Sequence, residues 1–164
     1  MSNEIRIREA TTSDIDRIAG FQQALAQESE GKTLNPALLL QGIQEIFQAQ
    51  GKGFYLVAES GVAERGNAET GNQVVGSLLI TYEWSDWRNA TFWWIQSVYV
   101  DSQWRRRGVY RALHNYVLGI ARARDDICGI RLYVERNNTV AQQTYADLGM
   151  SQSHYDLYEI DFVL

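Results

Sequence analysis

Residues 97–113 read SVYVDSQWRRRGVYRAL, and this stretch decides how the 164-residue chain folds. An apolar run typical of a buried strand passes into a basic turn that contains Gly108, and the turn opens an amphipathic helix. Such a unit points several backbone N–H groups at one place, where the helix N-terminus adds about half a positive charge. The stretch therefore predicts an anion site suited to a pyrophosphate, with a solvated basic turn as the simpler alternative. The arginines that can add charge-assisted contacts are Arg105, Arg106, Arg107 and Arg111.

Apolar alternation and helix-start signals divide the rest of the chain into short elements. Strand patterns cover residues 4–9, 54–59, 74–82, 92–100, 130–134 and 155–163. Helical patterns follow residues 12–14, begin at residues 35–36, and cover residues 109–124 and 138–148. The Gly-, Glu- and Asn-rich stretch 60–72 predicts an exposed hairpin loop between two strands.

The order of these elements predicts the fold class. Three consecutive strands joined by turns favour antiparallel pairing, whereas strand–helix–strand favours a parallel pair. We therefore expect an α/β fold with α+β character, in which about four helices flank a mixed, mostly antiparallel sheet. No linker or internal repeat interrupts the chain, so a single domain over residues 1–164 is expected.

Composition excludes several classes of protein. The formal net charge is −5 and the pI is near 5.0, which disfavours a general nucleic-acid binder. Cys128 is the only cysteine, so an intramolecular disulfide is excluded, and no metal is expected. The first residues lack a signal-peptide pattern, and no apolar run of about 18 residues suits a membrane span. We therefore expect a cytoplasmic protein that binds neither membrane nor nucleic acid.

A second motif follows downstream, where residues 134–150 read VERNNTVAQQTYADLGM. Asn138, Ala141, Tyr145 and Gly149 stand there at the spacing of one signature of the GNAT N-acetyltransferases. Arg105-x-x-Gly108-x-Tyr110 resembles the pyrophosphate loop of the same family, which is usually written Arg/Gln-x-x-Gly-x-Gly/Ala. The chain thus resembles the GNAT family over nearly its whole length. It departs at Tyr110, whose side chain must point away from the phosphates or narrow their site.

The resemblance implies that the fourth and fifth strands splay apart and that the pantetheine arm of acetyl-CoA lies between them. It assigns Tyr145 as the general acid, since a phenol can protonate a departing thiolate of similar basicity. A core aromatic is the alternative reading of Tyr145. The residues that it assigns to the cofactor are Val98, Tyr99, Val100, Arg105, Arg106, Arg107, Gly108, Val109, Tyr110, Arg111 and Asn138.

The base and the acceptor site are less defined. Related diamine acetyltransferases carry a glutamate near the position of Gln96, and glutamine cannot usefully accept a proton. Glu83 is the expected substitute, with Asp86 or an ordered water as alternatives. Aromatic and acidic side chains around the turn 84–89 predict a site for a cationic amine, against the alternative of a solvated turn or a dimer surface. The expected acceptor contacts are Trp84, Asp86, Trp87 and Gln96.

These observations predict an N-acetyltransferase that moves the acetyl group of acetyl-CoA directly to a primary amine. A small polyamine-like or amino-acid-like acceptor is favoured, and a homodimer is expected. The alternatives are an enzyme that acts on a protein amine and an acyl-CoA-binding module without turnover. A nucleic-acid binder that uses Arg105, Arg106 and Arg107 conflicts with the overall acidity.

Overall fold

The computed structural model describes residues 4–49, 51–61 and 72–162. Most of the predicted hairpin loop, residues 62–71, lies outside the described residues. The contacts group the chain into two compact units, Met1–Tyr133 and Val134–Leu164. The single domain expected over residues 1–164 stays a prediction.

The first unit is built on a five-stranded sheet with the order β1-β2-β3-β4-β5. Neighbouring strands from β1 to β4 are antiparallel, and β5 is parallel to β4. The strands are β1 (Glu4–Glu9), β2 (Gly53–Gly61), β3 (Gln73–Ser85), β4 (Ala90–Val100) and β5 (Ile127–Leu132). This arrangement confirms the predicted mixed, mostly antiparallel sheet.

Three helices cover the sheet: α1 (Ile15–Glu30), α2 (Pro36–Gln48) and α3 (Val109–Arg122). Successive strand residues face opposite sides, so β2 serves two cores. Tyr55 and Val57 pack with Ile18 of α1 and Ile43 of α2, whereas Leu56 packs in the cluster that includes α3. Helices α1 and α2 therefore share one face of the sheet, and α3 lies on the other. Within the described ranges, no helix is long and apolar enough to cross a membrane.

The pairing of β4 changes halfway along the strand. Ile80 pairs with Ile95 but Leu79 pairs with Ser97, so Gln96 is the extra residue of a β-bulge. The last pair between β4 and β5 joins Ile95 to Leu132. Residues 96–100 of β4 therefore run on beyond this pairing, which leaves that edge of β4 without a β5 partner.

The second unit contains α4 (Thr139–Asp147), which Asn138 caps by accepting a hydrogen bond from the Ala141 N–H at 3.1 Å. The predicted strand 155–163 is wrong over its described part, because residues 151–162 contain no strand. Their apolar side chains alternate, yet they are exposed, and a strand also needs a partner for its backbone. The exposed members are Tyr155, Leu157, Tyr158, Ile160 and Phe162.

His114 is a buried polar residue on the sheet-facing side of α3. Its side chain is 1% exposed, and neither ring nitrogen has a hydrogen-bond partner in the part of the chain that the structure describes. Burial lowers the pKa of His114, because the charged imidazolium loses its hydration. The folded protein therefore holds this histidine neutral more strongly than the unfolded chain does.

We expect His114→Leu to raise the free energy of unfolding near neutral pH by about 1 kcal/mol, since it removes an unsatisfied buried group. In the unfolded wild-type chain the imidazole of His114 binds a proton as the pH falls through about 6.5, whereas in the folded chain it binds one only at lower pH. The free energy of unfolding of the wild type should therefore fall as the pH is lowered through that window, and the free energy of unfolding of His114→Leu should fall less. Urea denaturation across the window measures the difference, with His154→Leu as the control. Identical pH slopes for wild type and His114→Leu would contradict this expectation.

Candidate active site

The turn between β4 and α3 is shaped by its backbone. Asp101 accepts a hydrogen bond from the Gln103 N–H at 3.0 Å, and Trp104 anchors the turn in the core. Arg106 has φ +61° and Gly108 has φ +81°, both in the left-handed region. Glycine adopts this conformation without the cost that a Cβ imposes, so Gly108 lets the chain reverse directly into α3.

The N-terminus of α3 is open to an anion. Gly108 is the N-cap residue, and it offers no side chain to the amides of the first turn. Those N–H groups have no partner inside the helix, and the dipole of 14 helical residues adds positive potential there. The donor set formed by the backbone of Val109, Tyr110 and Arg111 therefore fits a pyrophosphate. A Cβ on Gly76 would lie 3.2 Å from the Val109 side chain, so a small residue in β3 allows α3 to start close to the sheet.

The four arginines of the turn do not share one environment. Arg106, Arg107 and Arg111 are exposed, and the Arg107 guanidinium lies 5.0 Å from the centre of the Trp104 ring. Arg105 is bound instead to Glu28 of α1, with 2.6 Å between its guanidinium nitrogen and Oε2. Three arginines therefore remain placed to meet an anion, while the fourth joins the turn to α1.

Glu28 forms the centre of a small polar network. The Tyr99 hydroxyl donates to Glu28 Oε1 at 2.7 Å, and Arg105 also donates to the Val100 carbonyl at 3.1 Å. The hydrogen bond from Tyr99 and the contact with Arg105 lower the pKa of Glu28. No local sequence pattern points to Glu28, because 77 positions separate it from its partner Arg105.

Tyr110 takes the position where the GNAT loop has glycine or alanine. Its side chain is half-buried, and its ring centre lies 6.0 Å from that of His114, one turn further along α3. The phenol oxygen is buried, so the end of the Tyr110 side chain lies inside the protein beside His114 rather than in the solvent around the exposed turn. The departure at this position is compatible with an anion site.

The unpaired edge of β4 has two different sides. Val98 and Val100 pack against the core that contains α3. On the side of α1, Gln22 donates to the Ser97 hydroxyl at 3.0 Å. Gln96 is exposed at the bulge, and it donates to Thr81 at 2.9 Å. The edge is therefore apolar towards α3 and polar towards α1.

Glu83 lies further from the turn, beside the paired part of β4. Its carboxylate accepts hydrogen bonds from the Trp94 indole and from Arg131, the latter at 2.8 Å. The Arg131 guanidinium in turn stacks over Phe92 at 3.6 Å. An amine that uses Glu83 as a base must therefore compete with Arg131 for the carboxylate.

The aromatic residues expected at the acceptor site lie at the tip of the β3–β4 hairpin. Trp84 is 61% exposed and Trp87 is 88% exposed, while Asp86 accepts a hydrogen bond from the Trp87 N–H. Residues 90 and 96 of the extended β4 are about 20 Å apart. The structure therefore brings Gln96 towards the turn before α3, but it does not bring Trp84, Asp86 and Trp87 there.

The predicted residues of the second unit lie on and before α4. The side-chain oxygen of Asn138 caps this helix, and Tyr145 is half-buried in its last turn. Burial raises the pKa of the Tyr145 hydroxyl. The phenol therefore keeps its proton at neutral pH, as a general acid must.

Within residues 4–49, 51–61 and 72–162, His, Cys, Asp and Glu side chains form no group of three or more that could hold a metal ion.

Comparison with known proteins agrees with this geometry. The sequence profile of the acetyltransferase (GNAT) family matches residues 24–150. A protein of Clostridium difficile 630 described as a possible acetyltransferase is 41% identical, with a TM-score of 0.85 and coverage of 98% of this chain and 99% of the other. A transcriptional regulator of Bacillus halodurans C-125 is 22% identical, with a TM-score of 0.75 over 97% and 100% of the two chains.

A more distant similarity concerns the fold alone. The aminoglycoside N-acetyltransferase AAC(6')-Iy, solved in complex with CoA, is 14% identical, with a TM-score of 0.73 over 98% of this chain and 97% of the other. No curated protein matches the chain.

Proposed function

Because the chain belongs to the GNAT acetyltransferase family and is an acyltransferase, we propose that it transfers the acetyl group of acetyl-CoA to a primary amine of a small molecule. The observation that carries this proposal is the open N-terminus of α3, where Gly108 leaves the first-turn amides to a ligand and exposed arginines surround them. Backbone amides and arginines together are suited to a diphosphate.

Each part of the site has a distinct task in this proposal. The amides of Val109, Tyr110 and Arg111 bind the pyrophosphate of acetyl-CoA, and the guanidinium groups of Arg106, Arg107 and Arg111 add charge. The backbone of residues 98–100 pairs with the pantetheine arm as an added strand would, since this edge of β4 lacks a β5 partner. The resemblance assigns Asn138 to the cofactor as well, and that assignment stays a prediction. When bound, acetyl-CoA supplies an acetyl group activated as a thioester.

Two protons must move during the transfer. The resemblance assigns one of them to Tyr145, whose phenol is protonated at neutral pH and can protonate the departing thiolate. The proton of the acceptor amine goes to Glu83 or to an ordered water. To act as the base, Glu83 must give up its hydrogen bond from Arg131 and accept one from the amine, whereas an ordered water needs no such change of partner.

A small cationic acceptor is supported by two observations. The net charge of −5 favours the approach of a cation, and a protein of the same fold is an aminoglycoside N-acetyltransferase. Trp84, Asp86 and Trp87 stay predicted contacts of the amine acceptor, and they lie at the exposed hairpin tip. The homodimer and the cytoplasmic location stay predictions.

Calorimetric titration with acetyl-CoA, followed by a thiol-release assay on a panel of primary amines, tests the proposal. We expect saturable binding and turnover, with Arg111→Gln weakening binding at least tenfold, since a charge-assisted hydrogen bond contributes about 1.5–3 kcal/mol. Arg122→Gln, in the last turn of the same helix, is the matched control and should bind normally. Binding without turnover would favour the acyl-CoA-binding module, turnover only on peptides would favour a protein acceptor, and absence of binding would reject the proposed site.

A further inference from the structure

Helix α1 contacts β4 through a polar strip. Ile18 and Phe21 of α1 are buried and apolar, as expected for a helix on a sheet. Beside the unpaired edge of β4, Phe21 still packs on the Tyr99 ring at 5.3 Å between ring centres, but two hydrogen bonds join this contact, from Gln22 to Ser97 and from Tyr99 to Glu28. A helix–sheet contact for stability alone would favour apolar side chains here, so the polar strip is a candidate ligand surface.

The strip lies on the side of β4 that suits a polar acceptor. Val98 and Val100 close the opposite side with the α3 core, which leaves the α1 side for a charged molecule. The diphosphate end of the cofactor belongs at the turn, so the thioester end belongs near Gln96 and Ser97, where the unpaired edge begins. An acceptor amine at Ser97 therefore has the strip leading from it towards Glu28.

Two acidic residues take part in the contacts of α1 with β4 and the turn after it: Asp101 pairs with Arg17 at 2.9 Å, whereas Glu28 pairs with Arg105 and solvent reaches it. Its side chain is 46% exposed, and that of its partner Arg105 is 44% exposed. Exposed ion pairs of this kind are weak and exchange readily with other charged groups. A diphosphate at the neighbouring turn offers Arg105 a stronger partner than one carboxylate.

We propose, on the basis of the function proposed above, that Glu28 selects acceptors with a second positive charge. Its carboxylate pairs with the distal ammonium of the acceptor after the cofactor diphosphate draws Arg105 away. Along an extended strand, Ser97 and Tyr99 are about 7 Å apart, and along a helix Gln22 and Glu28 are about 9 Å apart. These spans suit the two nitrogens of a linear diamine such as 1,5-diaminopentane.

The exchange of partners makes acetyl-CoA binding a direct test. In Glu28→Gln, Arg105 has no ion pair with residue 28 that must break before it contacts the diphosphate. Acetyl-CoA should therefore bind about two- to fivefold more tightly, the range expected when a weak competing ion pair is lost. Glu45→Gln is the matched control. Glu45 lies on α2, its side chain is also 46% exposed, and it is paired with a surface cation, Lys52. Weaker binding by Glu28→Gln would mean that the pair merely holds the turn in place, and would overturn the proposal.

Kinetics with a matched pair of acceptors tests the selectivity. 1,5-Diaminopentane and 5-amino-1-pentanol differ only in the distal group, which is an ammonium in one and a hydroxyl in the other. Wild type should prefer the diamine in kcat/KM, and Glu28→Gln should lose about tenfold with the diamine and little with the amino alcohol, as expected for loss of a charged hydrogen bond. The effect should appear in KM rather than in kcat.

The outcomes separate this inference from the function on which it rests. Equal use of both acceptors by wild type, or an equal loss with both in Glu28→Gln, overturns the role of Glu28 and leaves the acetyltransferase proposal intact. Turnover of neither acceptor by a wild type that binds acetyl-CoA overturns the diamine acceptor. Absence of acetyl-CoA binding rejects the proposed function itself.

Discussion

Replacing Tyr145 with phenylalanine is expected to lower kcat about a hundredfold, the scale of a lost general acid, without changing the affinity for acetyl-CoA. A departing thiolate leaves more readily when a proton reaches it, and a phenol is protonated at neutral pH, while burial raises the pKa of the Tyr145 hydroxyl further. Phenylalanine preserves the ring and its packing but offers no proton. The loss should therefore fall on the chemical step alone.

Pre-steady-state thiol release measures the chemical step for Tyr145→Phe, and calorimetry measures acetyl-CoA binding. Tyr158→Phe removes a hydroxyl from a residue that is 92% exposed in the same unit, and it should behave as wild type. Wild-type kcat should also decline at alkaline pH as the Tyr145 phenol loses its proton, and this decline should be absent in the variant. A parallel loss of rate and cofactor affinity would instead make Tyr145 a packing residue.

Gly108→Asp is expected to weaken acetyl-CoA binding by at least about tenfold, whereas Gly108→Asn should retain most of it. Both side chains tolerate the left-handed conformation, φ +81°, better than other non-glycine residues do. They have nearly the same shape, so their comparison isolates the added negative charge. Aspartate places that charge at the first-turn amides of α3, where it competes with the diphosphate for the same donors.

Titration of both variants with acetyl-CoA at two salt concentrations provides the measurement. The difference between Asp and Asn should shrink at high salt, because mobile ions screen exposed charges. Gly119→Ala, in the same helix at an open position, is a folding control that should raise stability slightly through helix propensity. Equal affinities for the Asp and Asn variants would place the anion elsewhere.

Patterns within a few residues predicted most of the elements. The capping chemistry of Asn35 and Pro36 predicted the start of α2, and alternation predicted β1 to within its observed bounds. The basic turn with Gly108 was predicted for the same reason, since a positive φ and a helix start are local properties.

The predicted strand 155–163 shows where local pattern fails. Tyr155, Leu157 and Ile160 follow a strand-like pattern, yet they are exposed in a segment without regular structure. Alternation states which face of a strand would be apolar, but strand formation depends on hydrogen bonds to a partner that is distant in sequence. A sequence pattern carries no information about that partner.

The sequence by itself determined most of the elements, the glycine-containing turn before α3 and the family, because each depends on residues that are neighbours along the chain. Only the tertiary structure decided that Arg105 pairs with Glu28, that the Tyr110 ring lies beside His114, and that the hairpin tip with Trp87 is far from Gln96. Contacts across tens of residues depend on how the helices pack on the sheet. That packing is settled by the burial of the whole core rather than by any short motif.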